Sequence, residues 1–286
     1  MKNWLEGAYD LHVHCGPDLF DRTGDDFDFA RACKAAGMAG MAVKAHLGCT
    51  ASRAYYVNRE VPGFRYIPGI CLNYPVGGIN PSAVDASLKM GGRIVWMPNA
   101  HSRFHMERKS LRSWNSNAKM YISPGEEGIT ILDEQGELTP RFRETAALVK
   151  EHNAVIATSH LSPREIMALA TYCHKEGIKT VLTHIRWVPE YSLELGKAFA
   201  ELGGIVELTA CAVAGYTAKI DLKTAMMLID QIGHERMILS SDAGGPKAPS
   251  PHEAMRMLAN NLSIAGLEGD KLKTMLVRNP EWLIAE

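Results

Sequence analysis

The sequence predicts a (β/α)8 TIM barrel, a single α/β domain. Three observations carry that expectation: eight short apolar runs, amphipathic stretches between them, and polar residues gathered at the C-terminal ends of the runs. The runs are YDLHVH (9–14), GMAVKAH (40–46), RYIPGICL (65–72), GRIVWMP (92–98), NAVIATSH (153–160), IKTVLTH (178–184), GGIVELT (203–209) and RMILSSDA (236–243). They are apolar almost throughout, as strands of a parallel sheet covered on both faces must be. Strands that alternate with helices indicate parallel βα units, and eight units in 286 residues suit a closed barrel. A doubly wound open sheet is the competing arrangement. It often carries a glycine-rich phosphate loop after its first strand, and here that position reads HCGPDLFD, with no GxGxxG or GxxxxGK.

The helices follow from local chemistry. DDFDFARACKAAG (25–37) and SPREIMALATYCHKEG (162–177) have helical spacing of apolar residues. Ser162-Pro163-Arg164-Glu165 and Ser250-Pro251-His252-Glu253 each offer a Ser N-cap, Pro at the first helical position and Glu at the third. Gly37 and Gly177 stand where helix C-caps belong. One connection is disproportionate. From Asn99 to about Pro140 the chain holds a long loop and a hairpin, GITILDEQGEL (128–138), turning near Glu134-Gln135-Gly136. It leaves the end of the fourth strand, on the face where barrels carry their sites, so it reads as an insertion shaping a site. The remainder forms one domain over 1–286, without internal repeat or low-complexity tract.

Composition narrows the function. A formal net charge of -1 gives no reason to expect nucleic acid or an anionic membrane surface as partner. No run of about 18 apolar residues suggests a membrane span, and MKNWLEGAYD lacks the apolar stretch of a secretory signal, so the cytoplasm is expected. The 6 cysteines are scattered without a CxxC pair, which argues against a disulfide framework or zinc knuckle. Cys15, beside the histidine pair, is expected only to pack.

The strand ends carry the chemistry. They offer His12 and His14, Lys44 and His46, His160, His184, Glu207 and Asp242. A spacing of two puts His12 and His14 on one side of their strand, and likewise Lys44 and His46. A single buried histidine more often satisfies a backbone carbonyl than binds a metal. Of the 11 histidines, however, five crowd into the last positions of predicted strands. Burying several imidazoles with a carboxylate is costly unless a cation pairs them.

With these residues in place, the chain resembles the amidohydrolase superfamily of metal-dependent hydrolases. The matching motifs are HVH (12–14), SH (159–160), TH (183–184) and SSDAG (240–244), with RNPEWLIAE (278–286) similar to that superfamily's Asn-Pro closing segment. DLHVHCGPD, VKAH, GITILDEQGELTP and SHLSPREI resemble a small, largely uncharacterised group within it. The resemblance implies that His12, His14 and Asp242 bind a first divalent metal. His160 and His184 would bind a second if one is present. Asp242 would shuttle the proton from a metal-activated water to the leaving group. Zinc is the expected ion, with manganese, iron or nickel as alternatives, one or two per chain. The fourth strand, GRIVWMP, departs from the pattern by offering neither the lysine nor the glutamate that many binuclear members use as a bridge.

Lys44 is the nearest substitute. Beside two dications it would lose its proton and capture carbon dioxide as a carbamate (N6-carboxylysine). The alternative is an ammonium that binds an anionic substrate or pairs Glu207. His46, His101, Arg103 and Glu207 are expected to contact substrate. His101 and His105 form an HxxxH pair, of which one is expected over the site and the other at the surface. Arg103, Arg108, Lys109 and Arg112 make the long loop basic, which would favour a carboxylate or phosphate. Trp96 and Trp114 are expected in the core.

The implied reaction is hydrolysis of a C–N bond (amide, lactam or cyclic imide) in a small, anionic molecule. Lactone, ester or phosphoester cleavage at the same site is the alternative. A barrel that binds a metal or ligand without turnover is the alternative of another class. A homo-oligomer is expected, since barrels of this type often associate.

Overall fold

A computed structural model describes residues 2–108, 122–213 and 219–285. All eight apolar runs are strands, and all pair in parallel. In chain order they are β1 Tyr9–Val13, β2 Gly40–Val43, β3 Arg65–Ile67 with β4 Gly69–Cys71, β5 Ile94–Trp96, β6 Val155–Ala157, β7 Lys179–Leu182, β8 Ile205–Thr209 and β9 Met237–Ser240. The third run is split in two because Pro68 has no N–H to give to a ladder. One ladder runs β1-β2-β3 and the other β4 through β9 in order. The ring is joined at the far seam by backbone. Asp242 N–H donates to His12 C=O and His14 N–H donates to Ala243 C=O, both at 2.9 Å.

Two apolar clusters sort the side chains. The inner one takes Leu11, Ala42, Ile67, Ile94, Val155, Val181, Ile205 and Ile238, at least one from nearly every strand, and is the filling of a barrel. Leu283 and Ile284, from the C-terminal helix Asn279–Leu283 and the residue after it, join this cluster. Trp96 lies in it too, as expected. The outer cluster packs strands against helices such as Pro163–Glu176.

Alternation then positions the site. Ala42 points inward, so Lys44 does too; Ile205 points inward, so Glu207 does. In β1, Leu11 belongs to the inner cluster and Val13 to the outer. The pairing register shifts between Asp10 and Val13, and this irregularity turns the strand so that the two histidines can face the interior.

Helix Pro163–Glu176 begins with the full capping box predicted at Ser162 and Glu165, and ends at Gly177 with φ 70°. Gly37 likewise takes φ 93°, just past helix Asp26–Ala35. The matching motif at Ser250 behaves differently. Its helix, Pro251–Ile264, starts there, but Ser250 caps no backbone N–H; its hydroxyl faces His252, and Glu253 pairs with Arg256. Local side-chain partners have outcompeted the cap.

The expected hairpin is present. Leu132 bridges Leu138, with the turn closed by Gly136 N–H to Asp133 C=O (3.0 Å). Buried Glu165 anchors it, accepting from Thr130 Oγ1 (2.7 Å) and Ile131 N–H (3.1 Å). Lys109, Arg112 and Trp114 lie outside the described residues. Arg108 pairs with Glu190.

Candidate metal centre

The strand ends converge as their order in the sequence requires. The Asp242 carboxylate is the hub. Its Oδ1 lies 3.1 Å from His14 Nε2 and 3.3 Å from His12 Nε2, and its Oδ2 lies 3.3 Å from His184 Nδ1. His160 adjoins His184, with ring centroids 5.4 Å apart. Lys44 is buried beside this group, within reach of the charges of Asp242 and Glu207, and burial lowers its ammonium pKa.

The second atoms of the two HVH imidazoles are committed elsewhere. His12 Nδ1 faces both oxygens of Glu207 at 3.1 and 3.2 Å, and His14 Nδ1 lies 2.8 Å from the backbone carbonyl of Lys44. A carboxylate and a carbonyl can only accept, so both Nδ1 atoms carry the proton. In the neutral rings the two Nε2 atoms then turn their lone pairs toward one carboxylate oxygen. Burial holds His14 and His184 below the ordinary imidazole range, so they are neutral. Lone pairs of imidazole and carboxylate converging on one point repel unless a cation lies between them. His12 Nε2 is buried and has no hydrogen-bond partner among the described residues. Donor set, burial and orphaned nitrogen all fit a divalent metal. Among the described residues, three overlapping ligand groups result: His12, His184 and Glu207; His12, His14 and Asp242; His14, Asp18 and His46.

The backbone is strained where these groups are presented. Ser159, His184 and Asp242 all take left-handed conformations, with φ of 50°, 58° and 54°. Non-glycine residues hold such angles only where their surroundings enforce them, and such positions gather at functional sites.

Several supporting residues were not singled out from the sequence. Asp10, fully buried, accepts His12 N–H (3.2 Å) and Ser241 N–H (2.9 Å) on one oxygen, tying β1 to the end of β9. Burial raises it to about 7. Its signal was the i−2 spacing to His12 in DLHVH. Asp18 lies 3.2 Å from His46 Nδ1 and is clamped by Arg22. It lies in the DLHVHCGPD stretch, but nothing local in the sequence gives its partner. His105 was expected, with His101, to leave one ring at the surface; both are buried. His105 Nδ1 lies 2.8 Å from His160 Nδ1, and Trp187 stacks on His160 with centroids 3.9 Å apart. Arg103 is exposed at the start of the short helix Arg103–Met106. Cys15 is buried and packs, as expected. A cavity of about 1020 Å³ has walls that include Leu19, Leu47, Tyr74, Ile79 and Ile129; Leu19 and Leu47 follow Asp18 and His46 in sequence.

Residues 7–207 match the model of a family of unknown function, DUF6282. The chain belongs to that family. No curated protein matches this DUF6282 sequence. Solved structures share its fold at low identity. An amidohydrolase from Pseudomonas aeruginosa aligns with TM-score 0.66 and 11% identity over 99% of this chain and 96% of its own. A probable 2-pyrone-4,6-dicarboxylic acid hydrolase from Acinetobacter baumannii, with citric acid bound, aligns with TM-score 0.62 and 12% identity over 98% and 100%. An organophosphorus hydrolase from Deinococcus radiodurans aligns with TM-score 0.60 and 14% identity over 100% and 94%. The DUF6282 chain thus has the barrel of amidohydrolase-type enzymes over its whole length. Among the described residues no helix is long and apolar enough to cross a membrane.

Proposed function

We propose that this DUF6282 protein is a metal-dependent hydrolase that cleaves a C–N bond of a small anionic molecule. The observation that carries the reading is the convergence of His12 Nε2 and His14 Nε2 on one oxygen of Asp242, at 3.3 and 3.1 Å. His12, His14 and Asp242 would hold one divalent cation. His160 and His184 would serve a second, with Lys44 as a carbamate bridge. Bound there, the cation supplies Lewis acidity and makes hydroxide available near neutral pH. Asp242 then moves a proton from the attacking water to the leaving nitrogen. Glu207, engaged by His12 Nδ1 and His184 N–H, orients the ligands rather than touching substrate. His46 and His101 meet the substrate from the mouth, and Arg103 attracts it from outside.

The likeness in fold to hydrolases of amide, dicarboxylic acid and organophosphorus type supports the reaction class, and the basic loop supports an anion. Zinc is the preferred ion for the imidazole and carboxylate set. Metal content per chain, by inductively coupled plasma mass spectrometry on wild type and Lys44→Ala, tests the centre. Two metals in wild type and one or none in the variant support the bridge. Two in both assign Lys44 to substrate. None in either, after reconstitution, overturns the hydrolase.

A further inference from the structure

Two buried donors at the mouth of the barrel have no acceptor among the described residues: Asn99 Nδ2 and His101 Nε2. Each is assigned by the groups around it. Asn73, fully buried, accepts Asn99 N–H (3.1 Å) and His101 N–H (3.3 Å) on its carbonyl oxygen. Its amide nitrogen donates to His46 C=O (2.9 Å) and to Asn99 Oδ1 (2.6 Å). Backbone partners fix which end of Asn73 is which, and Asn73 then fixes Asn99. Asn99 Oδ1 is an acceptor, also meeting Ala100 N–H (2.5 Å), and Nδ2 is left as a donor. For His101, Tyr74 N–H donates to Nδ1 (3.3 Å), so the proton sits on Nε2. Burial lowers this imidazole to about 4, so it is neutral at ordinary pH.

We infer that Asn99 Nδ2 and His101 Nε2 form a subsite that receives a carboxylate of the substrate. Burial of two donors without acceptors is unfavourable, and a ligand oxygen on each relieves it. A carboxylate offers two acceptor oxygens and no competing donor. Neither Asn99 Nδ2 nor His101 Nε2 has a hydrogen-bond acceptor among the described residues, so an oxygen of a bound ligand would complete both. The place suits a substrate. Tyr74 stacks on His101 with centroids 4.8 Å apart and forms a wall of the large cavity, which Leu47, next to His46, also lines. The inference rests on the proposed function in taking this mouth as the substrate site. It adds Asn99, and it gives His101 a donor's role.

Glutarate and its neutral diamide serve as probes, measured by isothermal titration calorimetry on the protein as isolated, with metal content determined alongside. Wild type is expected to bind glutarate at least about tenfold more tightly than the diamide. Asn99→Asp keeps the acceptor that Asn73 uses and turns the free donor into a repelling oxygen. It should weaken glutarate by about tenfold or more. His101→Phe should do the same, and His101→Gln, which retains a terminal donor, should recover part. Metal content and circular dichroism stay unchanged throughout. Unaltered glutarate binding in Asn99→Asp and His101→Phe overturns the subsite, as does wild type that binds no glutarate or prefers the diamide. Loss of metal together with glutarate would instead make these residues part of the metal centre. Glutarate binding that Asn99→Asp abolishes in a protein holding no metal leaves the subsite standing and removes the hydrolase.

Discussion

Asp242 concentrates the chemistry in one side chain. It meets three imidazoles on two oxygens, and it does so from a left-handed backbone angle of 54°. Asp242→Asn keeps the size and part of the acceptor capacity but cannot take up a proton. Turnover should fall by about 10²–10⁴-fold with circular dichroism unchanged; near-normal turnover would remove the shuttle role. Glu207 acts one step behind. Glu207→Gln retains shape while losing the charge that holds the His12 Nδ1 proton, so metal affinity should drop by about 10–100-fold in a chelator competition. Equal affinity would return Glu207 to the substrate. His12, His14, His160, His184 and Asp242 were legible in the sequence because each ends an apolar run. Asp18 and Asn73 were not, and neither was the burial of His105. Their partners lie 28, 26 and 55 residues away, on loops whose paths no local pattern specifies.

The seam between β9 and β1 is the element on which the centre depends. The bonds Asp242 N–H to His12 C=O and His14 N–H to Ala243 C=O set the three ligands in one layer. Gly244, at φ 127°, follows directly, and a Cβ there would fall 1.7 Å from the His14 carbonyl oxygen. That oxygen is backbone and cannot swing away. Gly244→Ala should therefore cost about 3 kcal/mol or more in chemical denaturation and reduce bound metal. A variant as stable as wild type would mean that the seam yields. The SPRE and SPHE motifs make a contrast at this scale. Identical capping logic produced a capping box at Ser162 and none at Ser250. At Ser162, Glu165 is also buried and held by the hairpin, whereas at Ser250 the glutamate is drawn to Arg256.

For the whole molecule, the cluster of buried imidazoles makes stability depend on acid. Burial lowers His14, His46, His160 and His184, and it lowers His101 to about 4. The sign follows from proton counting. Between the unfolded value near 6.5 and the folded value, the unfolded chain binds a proton that the folded chain refuses. The neutral ring's contribution is fully present above about 6.5 and is lost as pH falls toward 4. Wild type should thus lose more stability between pH 7 and pH 5 than His101→Asn, by on the order of 1 kcal/mol in urea titrations. An equal loss would show that His101 ionises freely in the folded state.

The sequence by itself determined the barrel, the eight apolar runs that form it and their order, and which run ends carry histidine, lysine and aspartate. These follow from periodicity and chain order, which are local or nearly so. The tertiary structure alone decided how those groups engage one another. Whether an imidazole presents a lone pair or a proton depends on the group at its other nitrogen, and for His12 that group is 195 residues distant. The register shift in β1 that turns the histidines inward, and the Asn73 hub that leaves two donors waiting at the mouth, likewise exist only when distant loops meet.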